Sequence, residues 1–167
     1  YEPIAEVTQI KGDSETHELL SPDDAFAKFE TYPYYLSKKS EPYAVKPGDY
    51  VRSALKTGLE LGQKIGVNPF KIGMIGSTDS HTGMSTAEEP NFWGKYANDS
   101  IPENKTSHGL GSASGWTMSA SGLAAVWATE NTRDAIMDAM FRREVYATTG
   151  TRITVRFFGG WDFSEAD

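Results

Sequence analysis

The sequence predicts an α/β fold in which parallel strands carry helices on their outer side. Residues 3–10 (PIAEVTQI) and 70–76 (FKIGMIG) are short, mostly apolar runs without polar alternation, as expected of strands buried on both faces. An amphipathic helical run lies between them, which is the crossover that parallel strands require. The second strand runs directly into the polar cluster Ser77, Thr78, Asp79, Ser80, His81 and Thr82. Parallel α/β architectures bind ligands at that end of their strands.

Taken in order, residues 3–10 form the first strand, with Glu6 inside the core, and the polar stretch 11–18 (KGDSETHE) is the loop leaving it. Ser21 as N-cap, Pro22 at the first helical position and Asp23 and Asp24 in the first turn predict a short helix to about residue 30. Three prolines among the tyrosines and lysines of 32–47 predict an irregular loop. Residues 49–65 place Val51, Ala54, Leu55, Gly58, Leu59 and Ile65 on one helical stripe, stopped by Gly66. The second strand follows the Asn68-Pro69 turn. Residues 84–122 carry a Gly/Ser-rich stretch without a period and read as a long loop excursion of Ω type. Residues 131–143 (NTRDAIMDAMFRR) have a capping Asn or Thr, an apolar face and two terminal arginines, so they form a third helix. Residues 145–148 and 153–157 alternate as two strands joined by the Thr149-Gly150 turn.

A length of 167 residues corresponds to one domain, or part of one. Sixteen basic against 23 acidic residues give a net charge of −7, which opposes binding to a phosphate backbone and excludes nucleic acid as the first expectation. With no cysteine, disulfides, thiolate metal sites and cysteine nucleophiles are excluded, so any metal must bind oxygen or imidazole. No apolar run reaches the ~18 residues that a membrane span needs, and no basic-then-apolar leader opens the chain. The expectation is a soluble protein, cytoplasmic, periplasmic or secreted, with a small-molecule substrate. The chain starts at Tyr1 without methionine, as a processed chain or a piece of a longer one would.

Asp79 and His81 carry the strongest local signal. A carboxylate and an imidazole two apart on extended backbone point the same way and can share one ion or one water; the plainer reading is a polar turn with a surface histidine. Glu6 within an apolar strand must be paired, protonated or metal-bound, because an isolated buried charge costs several kcal/mol; alternatively it reaches solvent or pairs with an arginine such as Arg152. His17 lies in a charged loop and reads as solvated rather than ligating. His108, opening the Gly/Ser stretch, is a lid residue or a bystander. Gly109-Leu110-Gly111 has no preceding strand, so a dinucleotide fingerprint is rejected. A serine-triad elbow is rejected because Gly111 to Gly115 has the wrong spacing. The tyrosines at 32, 34, 35 and 43 either line a cleft for an organic molecule or pack on their own loop.

The runs EVTQIKGDSE (6–15), NPFKIGMIGSTDSHTG (68–83) and WATENTRDAIMDAMFRREVYATTGTRI (127–153) resemble the C-terminal half of an uncharacterised bacterial domain family related to the PHP (polymerase and histidinol phosphatase) metal-dependent hydrolases. The resemblance implies the C-terminal portion of a distorted β/α barrel whose strand ends hold divalent metals, zinc, manganese or iron. It implies that Asp79 and His81 are metal ligands and catalytic and that Glu6 is a third ligand bridging two metals; no further general base is identifiable, and His17 or His108 would shuttle protons only if the loops fold over the site. The chain lacks the family's opening His-x-His motif, so the resemblance also implies that an upstream part of the same protein completes the site. The expected activity is hydrolysis of a phosphoester or other ester-like bond by metal-activated water. The rival expectation is a non-catalytic binding or structural module that keeps the barrel without a complete metal site.

Overall fold

The computed structural model describes residues 2–29, 31–32, 42–82, 95–97, 101–104 and 122–164. Strand β1 (Ile4–Gln9) is the centre of a three-stranded sheet, with β2 (Gly12–Asp13) on one edge and β3 (Gly73–Gly76) on the other. β2 is antiparallel to β1, and β3 is parallel to it. Helix α1 (Val51–Ile65) supplies the crossover between β1 and β3. Strand β4 (Gly122–Val126) and strand β5 (Val145–Thr149) form a separate antiparallel pair, connected by helix α2 (Arg133–Arg142).

The expected parallel barrel with outer helices does not form. Among the described residues two of the three strand pairings are antiparallel, and the sheets have three and two strands. The physical reason lies at β1. Lys11 and Gly12, the latter at φ +100°, fold the chain back into a hairpin, so β2 occupies the edge that a further parallel strand would need. Nor does α1 seal a sheet face: Leu59 and Ile65 of its apolar stripe are 70% and 66% exposed. Its buried point is Gly58, which sits against Asn68 and Phe70 just before β3.

The two sheets meet where β3 lies against β4 and β5. At the crossing, backbones approach too closely for side chains. A Cβ on Gly76 would lie 2.8 Å from the Leu123 carbonyl oxygen, and one on Gly122 would lie 2.5 Å from the Thr8 carbonyl oxygen. Val7, Ile10, Ala27, Tyr50 and Ala139 are the buried apolar residues among those described.

Three further expectations change. Residues 21–29 form successive turns in place of a helix, with Asp24 N–H donating to Ser21 O, Ala27 N–H to Asp24 O and Phe29 N–H to Phe26 O. The Asp24 carboxylate accepts from Phe26 N–H at 2.9 Å, and such side-chain capture of the backbone competes with helix propagation. The strand expected at 153–157 is absent. That segment is held by side chains instead, Tyr146 Oη donating to Ile153 O at 2.8 Å and Trp127 Nε1 to Val155 O at 3.2 Å. Within the expected 84–122 excursion, the described residues include a short 3-10 turn, Pro102–Asn104, and the start of β4; most of the rest lies outside the described residues.

Helix ends follow the sequence signals. Gly66, at φ +75°, caps α1 through its N–H to Gly62 O. The Thr132 hydroxyl accepts from Ala135 N–H at 3.4 Å to open α2, and Arg143, at φ +65°, closes it.

Candidate functional site

The site is built where β3 ends. The β1–β3 ladder continues one residue past Gly76, Ser77 N–H donating to Thr8 O at 3.0 Å, and the chain then turns through Thr78 to His81. Asp79 makes that turn at φ +48°, left-handed backbone that non-glycine residues enter rarely and that Asp tolerates better than most. Ser80 N–H donates to Thr78 Oγ1 at 3.2 Å, and the Ser80 and Thr82 hydroxyls are 3.0 Å apart.

Two lysines converge on Asp79. Lys11, from the β1–β2 turn, and Lys95 both donate to Asp79 Oδ2, and Lys95 Nζ also donates to the Asp79 carbonyl oxygen at 2.8 Å. Lys95 is 3% exposed, so its charge is buried against the one carboxylate. Burial works to raise the Asp79 carboxyl, but the hydrogen bonds and charges of Lys11 and Lys95 outweigh it and hold the group at about 2. Burial lowers the affinity of Lys95 for its proton, with Asp79 opposing that effect.

His81 completes the cluster. Its backbone N–H donates to Lys95 O at 2.7 Å, fixing the two segments together, and its ring meets Tyr96 edge-on with centroids 4.9 Å apart at 85°. Nε2 of His81 lies 3.4 Å from Asp79 Oδ1. That is the separation expected of two ligands of one tetrahedral ion, where bonds of ~2.0–2.2 Å set donor atoms ~3.3–3.6 Å apart. The same distance is that of a long imidazole–carboxylate hydrogen bond, so the predicted pair is brought into direct contact. The second carboxylate oxygen is taken by ammonium groups, and among the described residues no three of His, Asp and Glu converge on a metal position.

Glu6 corrects the expectation of a core carboxylate. It is exposed and accepts a hydrogen bond from the Ser77 hydroxyl. The cause is a bulge: Glu6 pairs with Ile75 but Thr8 pairs with Gly76, so the register slips at Val7 and side-chain alternation breaks. Val7 and Thr8 become the buried positions. His17 is half-buried and bonded locally, its Nδ1 accepting from Leu19 N–H at 3.2 Å, with its ring 6.1 Å from that of Tyr50. His108 lies outside the described residues.

Lys11, Lys95 and Tyr96 were not singled out by sequence reasoning. Lys11 has a local signal, its place beside Gly12 in a tight turn. Lys95 and Tyr96 sit in the irregular stretch after Gly83, where no spacing marks them.

Among the described residues no helix is long and apolar enough to cross a membrane. No curated protein and no solved structure matches the chain. A family model described as "Protein of unknown function (DUF3604)" matches residues 1–167, and the chain belongs to that family.

Proposed function

We propose that this chain supplies part of the ligand set of a PHP-type metal-dependent hydrolase acting on a phosphoester or other ester-like bond, with the remaining donors coming from outside the described residues. The observation that carries the reading is the 3.4 Å approach of His81 Nε2 to Asp79 Oδ1 at the end of a strand paired in parallel. Asp79 and His81 would hold the ion. A divalent ion bound there would supply Lewis acidity and an activated water near neutral pH. The chain's own residues do the positioning. Lys11 and Lys95 keep the Asp79 carboxyl ionised, and the contact with Tyr96 and the bond to Lys95 O orient His81.

The Lys11 and Lys95 ammonium groups favour a second reading, a non-catalytic binding or structural module, because they already neutralise Asp79. Elemental analysis beside hydrolysis of p-nitrophenyl phosphate separates the two, using this chain and the longest natural polypeptide containing it. The hydrolase reading expects weak zinc or manganese binding by the 167-residue chain. It expects stoichiometric metal and turnover in the longer polypeptide, both lost in His81→Ala. A longer polypeptide that is metal-free and inactive establishes the module reading instead.

A further inference from the structure

A second site lies on the other side of Lys11. Residues of the β1–β2 hairpin, the turn after it and the segments leading into α1 line an open cavity of about 350 Å³. His17, Tyr32, Tyr43, Tyr50, Asp13 and Asp49 are among the residues that line it. Three of their rings meet at Tyr50, which His17 approaches with centroids 6.1 Å apart. Tyr43 meets Tyr50 edge-on with centroids 6.3 Å apart at 76°, and Tyr50 itself is 8% exposed, a fixed wall.

The charge of the cavity is negative. Lys11 lines it, but its ammonium donates to Asp79. The Tyr43 hydroxyl donates to Asp49 Oδ2 at 2.6 Å, and among the described residues no basic side chain forms an ion pair with Asp49. Asp13 accepts from the backbone N–H groups of Glu15 at 3.0 Å and Thr16 at 3.4 Å, and among the described residues no basic side chain forms an ion pair with it. Arg52, the nearest candidate, is engaged by Glu15 and Asp24. Burial raises the Asp13 carboxyl to about 6, against the effect of its two backbone donors and of the more distant Arg52 charge, so its ionised form is only partly compensated. Ring faces attract cations through their quadrupoles, and a partly desolvated carboxylate does so through its charge.

We propose that this cavity binds a small organic cation, a primary or quaternary ammonium compound, held between the tyrosine rings and Asp13. The proposal stands independently of the metal-hydrolase reading, since none of these groups is a proposed metal ligand. The cavity volume suits a small metabolite and is within the range of ligand pockets.

The test is calorimetric and NMR titration of the intact chain with choline chloride and with benzylammonium chloride, at constant ionic strength. The uncharged choline isostere 3,3-dimethyl-1-butanol is the control. Expected is saturable binding of a cation, at least ~10-fold tighter than the isostere, with backbone amide shifts concentrated in residues 9–17 and 43–50. Asp13→Asn keeps an oxygen for both backbone donors and removes only the charge, so it is expected to keep the fold and weaken cation binding at least ~10-fold. Tyr43→Leu should weaken it while leaving the isostere unaffected. Absence of saturable cation binding, equal affinity for the isostere, undiminished binding by Asp13→Asn, or shifts centred on 77–82 would each overturn the proposal.

Discussion

Lys95 binds Asp79 twice, through the carboxylate and, at 2.8 Å, through the backbone carbonyl of the same residue. The two contacts fix both the side chain and the left-handed backbone of Asp79, while the Lys95 carbonyl accepts from His81 N–H two residues later. A buried lysine is thus the brace of the site.

Removing the carboxylate should therefore cost more than removing the lysine. Asp79→Asn leaves a 3% exposed ammonium without its anion, and breaking such a pair from one side costs ~3–5 kcal/mol. Lys95→Met replaces the chain by an apolar one of similar length, and Lys11 still satisfies the carboxylate, so ~1 kcal/mol is expected. Urea denaturation checks the order. Equal losses in the two variants would show that Lys95 is not the group stranded by Asp79→Asn.

The same brace opposes a metal ion. Both ammonium groups occupy Asp79 Oδ2, and a divalent cation must displace them or suffer their repulsion. In the double variant Lys11→Met/Lys95→Met, zinc affinity measured by equilibrium dialysis should rise at least ~10-fold over wild type. An unchanged affinity would mean that the lysines do not compete with the ion.

Asp79 and Asp13 should give stability opposite dependence on pH. The folded state holds Asp79 near 2 against 3.8 for the free group, so its contribution is present above about 4 and is lost as pH falls towards 2. Asp13 is raised to about 6, so its folded form favours the proton: its contribution is present below about 4 and is lost as pH rises through 6. Asp13→Asn should thus be more stable than wild type at pH 8, and that advantage should vanish by pH 4. A constant difference across this range, measured by thermal melts in a series of buffers, would contradict the assignment.

How much of this was legible depends on whether the information is local. The α1 stripe with Gly66 behind it, and Thr132 before α2, are complete within a few residues, and both helices lie where the sequence places them. The apolar run before Ser77 marks β3 for the same reason, and its parallel pairing with β1 is observed. What failed was decided elsewhere in the chain. Glu6 reads as buried because its neighbours are apolar, but the slip between Glu6 and Thr8 depends on how β3 aligns. Three of the five residues of β4 (GLAAV) are Gly or Ala, with weak strand preference, and the strand forms against β5. The barrel failed at a hairpin that needs only Gly12 to turn. At the site, Asp79 and His81 were visible as a motif, whereas the two lysines come from 68 positions before Asp79 and 16 after it.

The junction of the two sheets should control the site from a distance. A methyl on Gly122 would meet Thr8 O at 2.5 Å and the N and O atoms of Ser77 at 2.9 Å, all backbone, so no rotamer change relieves the clash. Ser77 N–H donates to Thr8 O, and Asp79 follows two residues later, so the strain falls on the segment that carries Asp79 and His81. Gly122→Ala is expected to lose ~1–3 kcal/mol by overpacking and to displace the His81 ring from Asp79 and Tyr96. Gly48→Ala, with nothing within 4 Å of its added carbon, is the control and should leave stability unchanged. The checks are urea denaturation and the NMR chemical shifts of the His81 ring. If Gly122→Ala loses stability but the His81 signals stay in place, the junction supports the fold without setting the geometry of the site.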